Sequence, residues 1–101
     1  MRDDGRVFEF DADLWLWRED GSWHFLTVPA AVSDEIEDLA GPRGGFGSVK
    51  VEVTVGGTSW RTSLFPSKEQ RSFVMPVKRS VRVAEACEAG DRLRVRLSVQ
   101  S

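Results

Sequence analysis

The chain has a single cysteine, Cys87, so no internal disulfide can form, and this suits a reducing compartment. It has a single histidine, His24, so no pair of histidines sits at metal-ligand spacing. No apolar run approaches the roughly 20 residues that a membrane-spanning helix needs, and no membrane partner is expected. The start, Met1-Arg2-Asp3-Asp4-Gly5, is acidic and lacks the apolar core of a signal peptide, which points to the cytoplasm. No Lys/Arg block is long, and net charge is −2. A Walker pattern and a complete dinucleotide fingerprint are both missing around Gly44-Gly45-Phe46-Gly47, whose glycines are read as a tight turn into a strand. No cofactor and no metal site are expected.

What is present is enough for one domain of 101 residues. Hydrophobic residues make up 41% and charged residues 30%, so the chain can bury a core and is not disordered. Charge is uneven. Residues 1–50 carry five Lys and Arg against eleven Asp and Glu, and residues 51–101 carry nine against five. The halves either attract each other, leaving a mixed surface, or expose a basic patch for a polyanion.

Val7 to Trp17 alternates, with Phe8, Phe10, Ala12, Leu14 and Leu16 on one face and Trp15 and Trp17 on the other. Asp20-Gly21 predicts a hairpin into a second strand, Ser22 to Val28. Pro29 predicts a helix start, followed by Val32, Ile36 and Leu39 at helical spacing until Gly41-Pro42. Asp34, Glu35, Glu37 and Asp38 read as its solvated face, without the loop pattern of a calcium site. Val49 to Val55, a Gly56-Gly57 turn and Thr58 to Phe65 predict a hairpin, then Pro66 to Arg71 a polar loop and Ser72 to Met75 a strand. Pro76 again predicts a helix start, with Val77, Val81 and Ala84 on its buried face and Cys87 near its end. Leu93, Val95, Leu97 and Val99 form a last strand with Arg92, Arg94 and Arg96 opposite.

The order is β-β-α-β-β-β-α-β, and the strand–Pro–helix–strand unit is written twice, with Pro29 and Pro76 expected in equivalent places. Six strands leave open edges unless the sheet closes, so the expected fold is mainly β, a small double-split β-barrel with two short helices.

Gly45-Phe46-Gly47-Ser48-Val49-Lys50-Val51, Gly57 to Pro66, Pro76-Val77-Lys78-Arg79-Ser80-Val81-Arg82 and Gly90-Asp91 together resemble domain-of-unknown-function family 1905, as do Phe8-x-Phe10 and Trp23-His24-Phe25 with Val28-Pro29. That resemblance implies a small, mainly bacterial β-barrel without an assigned activity, so it supplies no catalytic residues. Val28-Pro29-Ala30-Ala31-Val32 and Met75-Pro76 with Lys78 to Val95 are also similar to swapped-hairpin transcription regulators and antitoxins, which build such a barrel from two chains. No short basic arm precedes either unit where those regulators contact DNA.

The candidate binding residues are Trp15 and Trp17, as an aromatic platform, and Arg61, Lys78, Arg79, Arg82, Arg92, Arg94 and Arg96, as an anion-binding set. The arginine row can instead pair across strands, with Glu52 as the expected partner. His24 reads as a structural histidine. Carboxylates flanking Cys87 disfavour a reactive thiolate. The leading expectation is a non-enzymatic binding or interaction module whose partner is a protein or a small ligand. A nucleic-acid-binding regulator and an enzyme using Asp/Glu with Arg are the alternatives.

Because one chain carries two units, it can complete the barrel alone, and a monomer is expected. Its melting midpoint should then be independent of protein concentration. A midpoint that falls on dilution through the micromolar range would show that the halves pair between chains.

Overall fold

Alternation along the first segment becomes strand β1 (Val7–Leu16), which turns Phe10, Ala12 and Leu14 inward and Glu9, Asp11 and Asp13 outward. The computed structural model describes residues 7–18, 23–41 and 47–100. The expected turn at Asp20-Gly21, the glycine run through Phe46 and the N-terminal Met1 to Gly5 lie outside the described residues. Next come β2 (His24–Thr27), α1 (Ala30–Ala40), β3 (Val49–Val55), β4 (Thr58–Ser67), β5 (Ser72–Pro76), α2 (Arg79–Glu85) and β6 (Arg92–Val99). Among the described residues no helix is long and apolar enough to cross a membrane.

All six strands run antiparallel in a closed barrel of order β1-β2-β5-β4-β3-β6, so every strand has two neighbours. Closure removes the edges that would otherwise invite pairing with other chains. Period two then places alternate residues inside. Val51, Val53, Leu64, Val95 and Leu97 are fully buried, and Trp60 is 8% exposed, as the strand patterns predict.

The pairings are unchanged when β1 is exchanged with β4, β2 with β5 and β3 with β6. This is the signature of an internal duplication. The correspondence between halves is set by hydrogen bonds. Val28 N–H donates to the Phe73 carbonyl and Val77 N–H to the His24 carbonyl, both at 2.9 Å. These are one bond made twice, with 28 matched to 77 and 24 to 73, an offset of 49 positions. The same offset relates the cross-strand partners Leu26 and Met75, the helix-capping positions Pro29 and Lys78, and the positive-φ glycines Gly41 and Gly90. Pro29 and Pro76 are therefore not equivalent. Pro76 ends β5 opposite Phe25, and α2 starts three residues later. Proline's fixed φ suits both an extended strand end and the entry to a helix, so its position alone does not set the alignment.

Three further expectations are corrected. Pro66 and Ser67 belong to β4, paired with Phe73 and Ser72, so the loop there is shorter than Pro66 to Arg71. On α1 the buried line is Ser33 and Ile36, whereas Leu39 is 41% exposed. Ser33 is drawn in because its hydroxyl accepts the Phe73 N–H at 3.2 Å, tying α1 to β5. On α2 only Val81 is buried, Ala84 faces solvent, and Cys87 lies beyond the helix end.

One clasp holds α2 over β4. Glu85, the last residue of α2, accepts hydrogen bonds from the Gly57 N–H and the Thr58 hydroxyl at the β3–β4 turn. Gly56, at φ 58°, leaves room for that carboxylate, because a side chain there would run into it.

Leu64 is fully enclosed in the barrel, so Leu64→Ala should cost about 2–5 kcal/mol in chemical denaturation. A cost near zero would place that face of β4 outside the core.

Candidate functional site

Where α2 meets β4 and the start of β2, the barrel surface opens into a cleft of about 420 Å³. β4 contributes Trp60, Arg61 and Thr62; β2 and the residue before it contribute Trp23 and His24. Pro76, Val77 and Lys78 come from the link into α2, and Arg79 and Arg82 from α2 itself. Four cations and two indoles converge on a lining that contains no carboxylate. Among the described residues, none of the four cations forms a salt bridge. Arg61 has Glu52 as its cross-strand neighbour but makes no ion pair with it.

Arg82 is the inner cation. Its guanidinium donates to the Val77 carbonyl at 2.6 Å, which fixes it against the link. Beside it, His24 Nδ1 is shut away from solvent without a hydrogen-bond partner among the described residues. Burial pushes the His24 pKa below its ordinary 6.5, and the Arg82 charge pushes it the same way. Both effects favour neutral imidazole.

These two residues mark where the duplicated halves have diverged. At the offset of 49, His24 corresponds to Phe73 and Arg82 to Ser33. At one of the two equivalent places, α1 of the first half meets β5 of the second, and the Ser33 hydroxyl accepts the Phe73 N–H. At the other, β2 of the first half meets α2 of the second, and an imidazole and a guanidinium line a cleft.

Trp23 forms the rim and is 52% exposed. One face of its ring stacks on Phe25, with centroids 6.0 Å apart and planes 11° from parallel. Phe25 in turn lies 5.3 Å from Trp15. Trp15 is half-buried, and its indole N–H donates to the Thr27 hydroxyl at 2.9 Å. Trp17 is 47% exposed but faces Arg18, whose guanidinium sits 4.3 Å above the ring. Neither Trp15 nor Trp17 lines the cleft. Trp15 backs the aromatic stack, and Trp17, whose N–H donates to the Trp23 carbonyl at 2.9 Å, lies across from Trp23 with its ring under Arg18.

The structure thus brings together Arg61, Lys78, Arg79 and Arg82 and separates them from Arg92, Arg94 and Arg96. The arginine row lies on the outer face of β6, alongside the acidic row of β1. Arg92 pairs with Asp13 at 3.1 Å, Arg94 with Asp11 and Glu9 at 3.3 Å, and Arg96 with Glu9 at 3.6 Å. Hydrogen bonds, first to Asp11 and then to Glu9, raise the Arg94 pKa further. The partners are these three carboxylates and not Glu52, because β6 sets its arginines directly opposite them in the β1 register.

Trp23, Trp60 and His24 are the aromatic lining residues, and none of them was expected as a binding group from the sequence. Alternation does put Trp23 on the strand face opposite Leu26 and Val28, which was the available signal. His24 falls on the inward face, and only the end of the strand, where that face meets the cleft, makes it a lining residue.

A second cleft of about 350 Å³, between α1 and the β4–β5 hairpin, is lined by Asp34 and Glu37 as well as Lys68 and Arg71, so its charges oppose one another. Burial raises the Cys87 pKa, and Asp91 and Glu85 add to it. The thiol is therefore held in its less nucleophilic form.

With this geometry in place, comparison with protein families adds a further finding. The sequence model of a domain of unknown function, DUF1905, matches residues 10–97. The chain belongs to this family. Every lining residue of the DUF1905 cleft falls within the matched span. No curated protein matches the chain.

The depressed His24 pKa has a definite sign. A histidine whose folded pKa lies below its unfolded value binds fewer protons when folded, so its contribution to stability is fully present above about pH 6.5 and is lost as pH falls toward the lowered folded value. The midpoint of urea unfolding should fall over that window, and His24→Gln should flatten the dependence. An unchanged slope in His24→Gln would assign the effect to other groups.

Proposed function

We propose that this DUF1905 domain is a non-enzymatic binding module of the bacterial cytoplasm and that the cleft between α2, β4 and the start of β2 takes a small ligand bearing an anionic group. The observation that carries this reading is the separation of the cations into two classes. Arg92, Arg94 and Arg96 are matched by carboxylates, whereas Arg61, Lys78, Arg79 and Arg82 line one concavity without any. Unmatched charge in a partly enclosed site attracts an anion more strongly than the same charge on an open face.

A nucleic-acid-binding regulator needs the β6 arginines and the α2 cations to add into one broad positive surface. Ion pairing along β1 works against that sum and favours a compact anion. A volume of about 420 Å³ also falls in the range of small-molecule sites, roughly 300–1,000 Å³. Binding is favoured over catalysis because the one lining imidazole, His24, has its Nδ1 walled off from solvent. The single free Cys87 supports a reducing compartment.

Inorganic pyrophosphate titrated into the protein should shift the backbone amide resonances of residues 61 and 77–82. Replacing both outer cations, Lys78→Gln with Arg79→Gln, should weaken binding by roughly tenfold or more, since charge-assisted hydrogen bonds are each worth about 1.5–3 kcal/mol. Arg94→Gln should leave it within about twofold. Equal losses in the two proteins would overturn the assignment of the site.

A further inference from the structure

The nature of the ligand beyond its charge follows from how the cleft's aromatic rim is held. We propose, resting on the anion-binding reading above, that the ligand is a phosphorylated planar ring of the mononucleotide class, with its phosphates on Arg61, Lys78 and Arg79 and its ring on the open face of Trp23.

Trp23 is half exposed, yet it is not a loose surface side chain. Phe25 covers one of its faces, Trp15 supports Phe25, and the Trp15 indole N–H is anchored on Thr27. Thr27 in turn donates its hydroxyl hydrogen bond to Gln70 at 3.1 Å. A ring supported from behind loses little freedom when a second ring lies on its other face, so the stack is prepared before the ligand arrives. Every nucleobase offers a π-face to such a platform.

The charge on the other walls sets the second requirement. Arg82 is already engaged with the Val77 carbonyl. Arg61, Lys78 and Arg79 are exposed and carry no protein partner in any salt bridge or side-chain hydrogen bond among the described residues. One carboxylate would neutralise one of the three. A phosphate ester carries about −1.5 to −2 near neutrality, and a diphosphate carries more. Arginine's planar fork also matches phosphate oxygens in pairs. An anion at these cations and a ring at Trp23 can be joined in one molecule because both line the same cleft of about 420 Å³. That space suits one nucleotide and not a strand, and beyond the cleft the nearest arginine row is already ion-paired.

The test measures adenosine diphosphate, adenosine and inorganic pyrophosphate by calorimetry at fixed ionic strength, using unmodified protein, Trp23→Leu and Trp17→Leu. Adenosine diphosphate should bind at least tenfold more tightly than pyrophosphate. Trp23→Leu should remove that advantage, a loss of roughly five- to 150-fold in the range carried by base–aromatic stacking, while leaving pyrophosphate affinity within about twofold. Trp17→Leu should change neither. In the unmodified protein, adenosine diphosphate should quench tryptophan fluorescence and pyrophosphate should not, a readout that survives if Trp23→Leu fails to fold.

Equal affinity of adenosine diphosphate and pyrophosphate would overturn the ring assignment and leave the anion site standing. Absence of binding by both would remove the anion site as well. A single-stranded oligonucleotide that binds more tightly than adenosine diphosphate, with affinity rising with length and falling steeply with salt, would replace the mononucleotide by a nucleic-acid strand.

Discussion

Six antiparallel strands have two open edges unless the first and last meet, and here they meet where β1 lies along β6 from Val7 to Asp13. Closing that seam commits every strand to one inward face, which is why valines and leucines two residues apart make up the core. It also commits the outward residues to face particular neighbours. Glu9, Asp11 and Asp13 are set opposite Arg96, Arg94 and Arg92. These pairs are exposed, with arginine side chains 62–64% accessible, so solvent screens them and each adds little to stability. Their larger consequence is electrostatic, because three of the seven candidate binding cations are neutralised by the first strand.

What remains positive is concentrated by a second constraint, the seating of α2. Glu85 clasps the β3–β4 turn, and Arg82 is held on the link that precedes the helix. Lys78 and Arg79 thereby share one cleft lining with Arg61 and Trp60 of β4. The equivalent place around Ser33 and Phe73 carries a hydrogen bond between α1 and β5 and opens into the cleft of about 350 Å³ whose charges are of both signs. One unit, used twice, has therefore given a cleft of mixed charge at one junction of the halves and a cationic cleft at the other.

The aromatic residues divide in the same way. Trp60 is 8% exposed and serves as both core and cleft floor, Trp15 and Phe25 form a backing layer, and Trp23 presents its free face at the rim. Trp17 satisfies its exposure by pairing with Arg18. An exposed tryptophan with rigid support and cations nearby differs in kind from one covered by its own sequence neighbour. This difference separates Trp23 from Trp17 as a binding residue.

Period-two alternation, glycine turns and two short apolar helices were enough to specify six strands, their inward faces and the need for closure, because these depend on residues close in the chain. Family membership was legible for the same reason, since its motifs are local. The presence of two related units was legible too, but their alignment was not. The offset of 49 follows from the bonds Val28 to Phe73 and Val77 to His24, which join residues 45 and 53 positions apart. Likewise, Arg61, Lys78, Arg79 and Arg82 could be identified as basic residues, yet nothing local distinguished them from Arg92, Arg94 and Arg96. Whether a cation is neutralised depends on which strand lies beside it, and strand adjacency is a property of the closed barrel alone.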